Sequence, residues 1–64
     1  MVTVNGKNID IAGKSLSEYL AEAGYCTERI AAELQGEIVP KSRYDETILK
    51  DGDVLEVVSF VGGG

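Results

Sequence analysis

Apolar and polar residues alternate through "VTV" (2–4) and "NIDI" (8–11), the period of a strand with one buried face. Asn5-Gly6 stands between them, and this pair suits the positive φ angles of a type I′ turn. The opening is therefore predicted as a hairpin with Val2, Val4, Ile9 and Ile11 pointing inward. The period then lengthens. In "SLSEYLAEAG" Leu16, Tyr19, Leu20 and Ala23 fall at i, i+3, i+4 and i+7, which predicts a helix of about nine residues with one apolar face. Ser15 and Glu18 fit a capping box at its start, and Gly24 suits a left-handed close. A helix this short needs a sheet to pack on.

Alternation returns at Ile30, Ala32 and Leu34; Ile38 and Val39 follow a Gln35-Gly36 turn. The helix formers of "TERIAAEL" could continue a helix, but Gly36 and Pro40 bracket a hairpin-sized unit, so two strands are preferred, with Pro40 ending the pairing. "KSRYDETILKDGD" is polar and turn-rich. It has room for one short helical turn, should tuck Ile48 and Leu49 beneath it, and closes on a sharp Asp51-Gly52 turn. "VLEVVSFV" is the most apolar segment. Such a run suits a central strand covered on both faces, or one with a face left for a partner.

The resulting order is ββαβββ. The simplest closed arrangement sets the last strand in the middle of a mixed sheet, beside and parallel to the first, with the helix crossing one face. This is the α+β arrangement called β-grasp or ubiquitin-like, a two-layer domain with one core. Residues 1–61 are read as that domain and residues 62–64 as a flexible glycine tail.

Length and composition narrow the function. Sixty-four residues make one domain, which buries only about 60% of the surface its unfolded chain exposes. The single cysteine excludes an intramolecular disulfide, and with no histidine the usual zinc ligand sets and Ser-His-Asp or Cys-His catalysis are excluded too. An autonomous enzyme is not expected. Eleven acidic against six basic residues give a net charge of −5, which disfavours nucleic acid and anionic membranes and favours a basic protein partner. No stretch approaches the roughly 18 apolar residues of a membrane span, and "MVTVNGKNID" lacks the features of a signal peptide. A soluble, cytoplasmic location is the expectation.

The chemistry converges on the last residues. Gly62, Gly63 and Gly64 follow the apolar strand directly. They lack side chains and tolerate nearly all backbone angles. A frayed end without a role is the plainer reading. A terminal carboxylate, however, has a pKa of about 3.3–3.7 and is ionised at neutral pH. As an anion it is a poor electrophile. Conversion to an acyl-adenylate with ATP supplies a leaving group, and a sulfur or nitrogen nucleophile can then attack. An activating enzyme must thread the end through a passage where a Cβ would collide, and glycine passes.

These pieces together resemble the ThiS family, the sulfur carriers of thiazole formation in thiamine biosynthesis. The features are the "VNGK" hairpin, "SLSEYL" after Gly-Lys, "IAAELQGEIVPKSRYDETIL", "KDGDVLEVV" and the glycine end; "GEIVPKS", then "DGD", then the terminal glycines is the most specific combination. The resemblance spans essentially the whole chain. It implies that Gly64 is the attachment residue, adenylated and then converted to a thiocarboxylate. Gly63 would be the second residue of the family's glycine pair, and Gly62 exceeds that pair. The implied partners are an adenylyltransferase of the ubiquitin-activating type (ThiF-like), a sulfur donor protein and a thiazole synthase (ThiG-like). ATP and magnesium would belong to the activating partner, with no cofactor bound by this chain. Rival readings are a carrier like the small subunit of molybdopterin synthase, or a ubiquitin-like interaction module or modifier without a sulfur role.

Three other features have plainer readings. Cys26, in the helix-to-strand connection with Glu22 and Glu28 near it in sequence, is read as an ordinary thiol. The alternative, sulfur receipt from a persulfide, predicts lost loading in Cys26→Ser. Val58 and Phe60 share one face of the last strand, as core or as a docking patch for the activating enzyme, since a one-residue slip would swap the faces. Glu18, Glu22, Glu28, Glu33 and Glu37 are read as solvated, with steering toward a basic partner as a second role. Turn chemistry explains Asp51 and Asp53, and no third carboxylate sits at calcium-loop spacing.

Overall fold

A computed structural model describes residues 1–60; residues 61–64, and with them Gly62, Gly63 and Gly64 of the tail, lie outside the described residues. Two hairpins form as the patterns predict. Strand β1 (Val2–Val4) pairs antiparallel with β2 (Lys7–Ile9), and β3 (Ile30–Leu34) with β4 (Glu37–Val39). Each is closed by a two-residue turn with positive φ at both positions, 49° and 85° at Asn5-Gly6 and 54° and 82° at Gln35-Gly36. Those signs match the right-handed twist of the flanking strands. Strand β5 (Val54–Ser59) lies parallel to β1 and antiparallel to β3, giving the sheet order β2-β1-β5-β3-β4. The last strand is thus central, as expected.

Helix α1 (Leu16–Glu22) has seven residues rather than about nine. Its capping box is complete: the Ser15 hydroxyl accepts from Glu18 N–H at 3.1 Å, and the Glu18 carboxylate accepts from Ser15 N–H at 3.3 Å. The next free amides at this end are satisfied by the long connection. Leu16 N–H donates to Thr47 O at 2.7 Å and Ser17 N–H to Tyr44 O at 3.1 Å, so the helix start is tied to the segment before β5. Ala23 is exposed, because the helix ends before that position can reach the core.

One core lies between the helix and one face of the sheet. Leu16, Tyr19 and Leu20 of α1 meet Val2, Val4, Ile30, Ala32, Leu55 and Val57 of the strands, and Ile11, Tyr44 and Leu49 close its margins. Ile11 is buried as predicted but lies beyond the end of β2, and Ile9 is half-buried. The connection contains a short 3₁₀ turn at Lys41–Arg43, and a second, unpredicted one at Thr27–Arg29 leads into β3. Only Leu49 of its apolar pair is covered. Ile48 is 47% exposed, since adjacent residues here point to opposite sides of a segment bridged to Ser15.

Candidate functional site

The tail of the chain follows β5, so the surroundings of that strand define the site. Its residues alternate: Leu55 and Val57 are buried against the helix, while Val54, Glu56 and Val58 are exposed on the other face. No layer of the described residues covers that second face, so β5 is covered on one side only. Residues opposite each other in a sheet share a face. The register therefore sets Thr3 beside Val54, Glu33 beside both Glu56 and Ile38, and Ala31 beside Val58 on the open side. Val58 is 51% exposed, Phe60 57% and Ile38 70%; Val58 and Phe60 do not contribute to the core. Glu56 was the sequence signal for the facing: a carboxylate between apolar neighbours shows which parity meets water. Its opposition to Glu33 depends on strand register and was missed.

Two turn residues hold β5 from its flanks; the sequence marks both as turn positions but gives no sign of this second role. Asn5 N–H donates to Leu55 O at 3.0 Å; its side-chain Oδ1 accepts from Val57 N–H at 2.9 Å and its Nδ2 donates to Val57 O at 3.3 Å. On the other flank Gln35 N–H donates to Val54 O at 2.9 Å, and Gln35 Oε1 accepts from Val54 N–H at 2.7 Å. Past the end of the strand, Phe60 N–H donates to Arg29 O at 2.7 Å. The strand leading to the tail is thereby bonded along both edges. The available signal was a carboxamide at the first position of each predicted turn, where asparagine above all tolerates positive φ.

The remaining candidates have ordinary surroundings. Cys26 is an exposed free thiol preceding the Thr27–Arg29 turn. Asp53 accepts from Lys50 N–H at 2.9 Å in a side-chain turn, and Asp51 pairs with the Met1 ammonium, which holds the Asp51 carboxyl below its usual range. Gly52 N–H donates to Met1 O at 2.8 Å. Among the described residues no group of three His, Cys, Asp or Glu side chains is placed to hold a metal ion, and no helix is long and apolar enough to cross a membrane.

The ThiS family model matches residues 2–64. The sulfur carrier protein ThiS of Thermus thermophilus is 38% identical over 64 residues, covering 100% of both chains. The crystal structure of the thiamine biosynthesis protein ThiS from Geobacter metallireducens superposes with a TM-score of 0.78 at 39% identity, covering 98% of this chain and 97% of that one. A thiazole synthase of Paramagnetospirillum magneticum is 39% identical over 64 residues, but the match takes 98% of this chain and 20% of that protein, so the chain spans about a fifth of that relative. The open-faced, five-stranded sheet and the end-to-end match agree: the chain belongs to the ThiS family.

Proposed function

We propose that this chain is a sulfur carrier of thiamine biosynthesis, a protein substrate whose Gly64 carboxylate is adenylated by a partner and converted to a thiocarboxylate. One observation carries the reading above the others. The match to the Thermus carrier takes in the whole of both chains, this chain's terminal glycines included. In the first step a Gly64 carboxylate oxygen attacks the α-phosphorus of ATP and pyrophosphate leaves. In the second the outer sulfur of a donor protein's persulfide attacks the acyl carbon and AMP leaves, so a C–S bond replaces a C–O bond in an acyl disulfide; a thiol then attacks the donor's sulfur, forming a disulfide with it and releasing the thiocarboxylate. Energising the carboxylate is needed because the anion resists nucleophiles.

Within this reading Val58 and Phe60 form part of the surface on which the ThiF-like adenylating enzyme docks. Gly62 and Gly63 thread the end into its active site. Exposed apolar side chains beside carboxylates suit a partner surface that is apolar with basic residues. A thiazole synthase is the recipient of the sulfur. The support is the P. magneticum relative of that name, part of whose length matches this chain.

Intact-mass spectrometry tests the proposal. After incubation with the cognate adenylating enzyme, ATP, magnesium and a sulfur source, the chain should gain the mass difference between sulfur and oxygen. Deleting Gly62, Gly63 and Gly64 together should abolish the gain, since removal of Gly64 alone still leaves two terminal glycines. A truncated chain that still takes up sulfur would transfer the role to Cys26 and overturn the reading. Isopeptide conjugates through Gly64 in cells would instead mark a modifier.

A further inference from the structure

We propose that Asn5 is a positioning residue for loading of the carrier: its side-chain amide stands in for the next residue of β1 and holds the end of β5 from which the tail departs. This rests on the sulfur-carrier reading for its consequence, though its structural half does not.

Strands β1 and β5 differ in length. The β1–β5 register ends at Val4 opposite Leu55, because the chain turns away at Asn5-Gly6, while β5 runs on to Ser59. Val57 is 7% exposed, and its N–H and C=O face the side that β1 has vacated. Unpaired, these groups would carry the cost of a poorly solvated peptide. The Asn5 carboxamide meets both, accepting from the N–H at 2.9 Å and donating to the carbonyl at 3.3 Å. It reproduces what a peptide unit would supply.

Asparagine answers two demands at this position. The turn needs positive φ, here 49°, which asparagine tolerates better than most residues. The ladder needs one donor and one acceptor on the same side chain. Glycine meets only the first demand. Aspartate meets the first and half of the second, since its carboxylate accepts from Val57 N–H but has no proton for Val57 O.

The far side of the strand end is held by β3, through the Ile30–Ser59 and Ala31–Val58 pairs and the Phe60–Arg29 bond. Asn5 supplies the near side. A strand fixed on both edges as far as Val57 is already ordered when a partner engages it. One fixed on a single edge must be ordered when the partner engages it, and that ordering is charged against binding. The effect of removing the clamp therefore falls on KM for the carrier rather than on kcat.

Asn5→Gly keeps a turn-competent Gly-Gly pair and removes the clamp alone. Gln35→Gly is the control, because it removes an equivalent side-chain bond at Val54, the other end of β5. Amide hydrogen exchange of the free protein should show Val57 exchanging roughly five- to thirtyfold faster in Asn5→Gly, as expected for losing one or two hydrogen bonds. Asn5→Asp should fall between that variant and the wild type, and Gln35→Gly should leave Val57 unchanged. In ATP–pyrophosphate exchange with the cognate adenylating enzyme, Asn5→Gly should raise KM by a comparable factor with kcat preserved, and Gln35→Gly should do neither. Unchanged Val57 protection in Asn5→Gly, or equal KM increases in both variants, overturns the proposal. A wild-type chain that supports no exchange with the enzyme would overturn the carrier reading instead, and the two failures are distinct.

Discussion

Glu33 and Glu56 stand directly opposite one another across the β3–β5 pairing, on the face the helix leaves open. Neither takes part in an ion pair among the described residues, where the salt bridges are Met1–Asp51 and Lys14–Glu22. Like charges at a directly opposed position oppose the pairing by roughly 0.2–1 kcal/mol. Glu56→Gln should therefore stabilise the free protein in urea denaturation by a few tenths of a kcal/mol, and Glu56→Lys by more. The advantage should shrink as added salt screens the wild-type repulsion. A loss of stability in both variants would mean that the two carboxylates do not repel in solution. In loading, Glu56→Lys should act in the opposite sense, because the docking surface would then meet a basic partner with a positive charge.

Val58, on that face, and Phe60, just past the end of β5, are tested by a different measurement. Both are more than half exposed, so Val58→Ser and Phe60→Ala should change unfolding free energy by no more than about 0.5 kcal/mol. Their effect should appear as weaker binding to the adenylating enzyme in titration calorimetry. A melting temperature that collapses in Phe60→Ala would place the ring in the core and remove it from the docking surface.

Ile48 and Leu49 are neighbours with opposite surroundings, 47% and 0% exposed. Leu49→Ala empties a site at the margin of the core and should cost about 2–5 kcal/mol. Ile48→Ala should cost less than about 1 kcal/mol, since much of that side chain already meets water. Denaturant midpoints of the two variants check the contrast. Equal losses would show that both residues are packed, as the sequence alone suggests.

That pair illustrates where sequence reading stops. Strand and helix periods are local, and they give both hairpins and the capped helix, while the near-continuous apolar run of "VLEVVSFV" gives the central last strand. Asn5-Gly6 and Gln35-Gly36 declared their turns because positive φ is a property of the residues themselves. Ile48 was misplaced because its segment is irregular, bridged to Ser15 at one point, and has no period from which facing can be read. Ala23 fitted the helical stripe, yet the stripe outlasted the helix. The clamp from Asn5 to Val57 and the opposition of Glu33 to Glu56 join residues 52 and 23 positions apart. Register between distant strands decides such contacts, and no local pattern encodes it.

Tyr19 offers a test of the core through pH. Its ring is buried against the sheet and lies 6.5 Å from that of Tyr25, with a 55° angle between the planes. Burial, with a smaller contribution from Tyr25, raises the phenol above its ordinary value of 10.0, because the phenolate loses more hydration than the neutral form. The folded chain therefore holds this proton more tightly than the unfolded chain. The associated stability is complete below the unfolded value and is lost as pH rises through the folded one. Chemical denaturation at a series of pH values should show the wild type losing stability above about pH 10, with a shallower decline in Tyr19→Phe, which has no proton to lose. Absorbance titration should show a late-ionising component in the wild type that is lost in the variant. Identical alkaline slopes in the two proteins would mean that the Tyr19 hydroxyl is as well hydrated in the fold as in the unfolded chain.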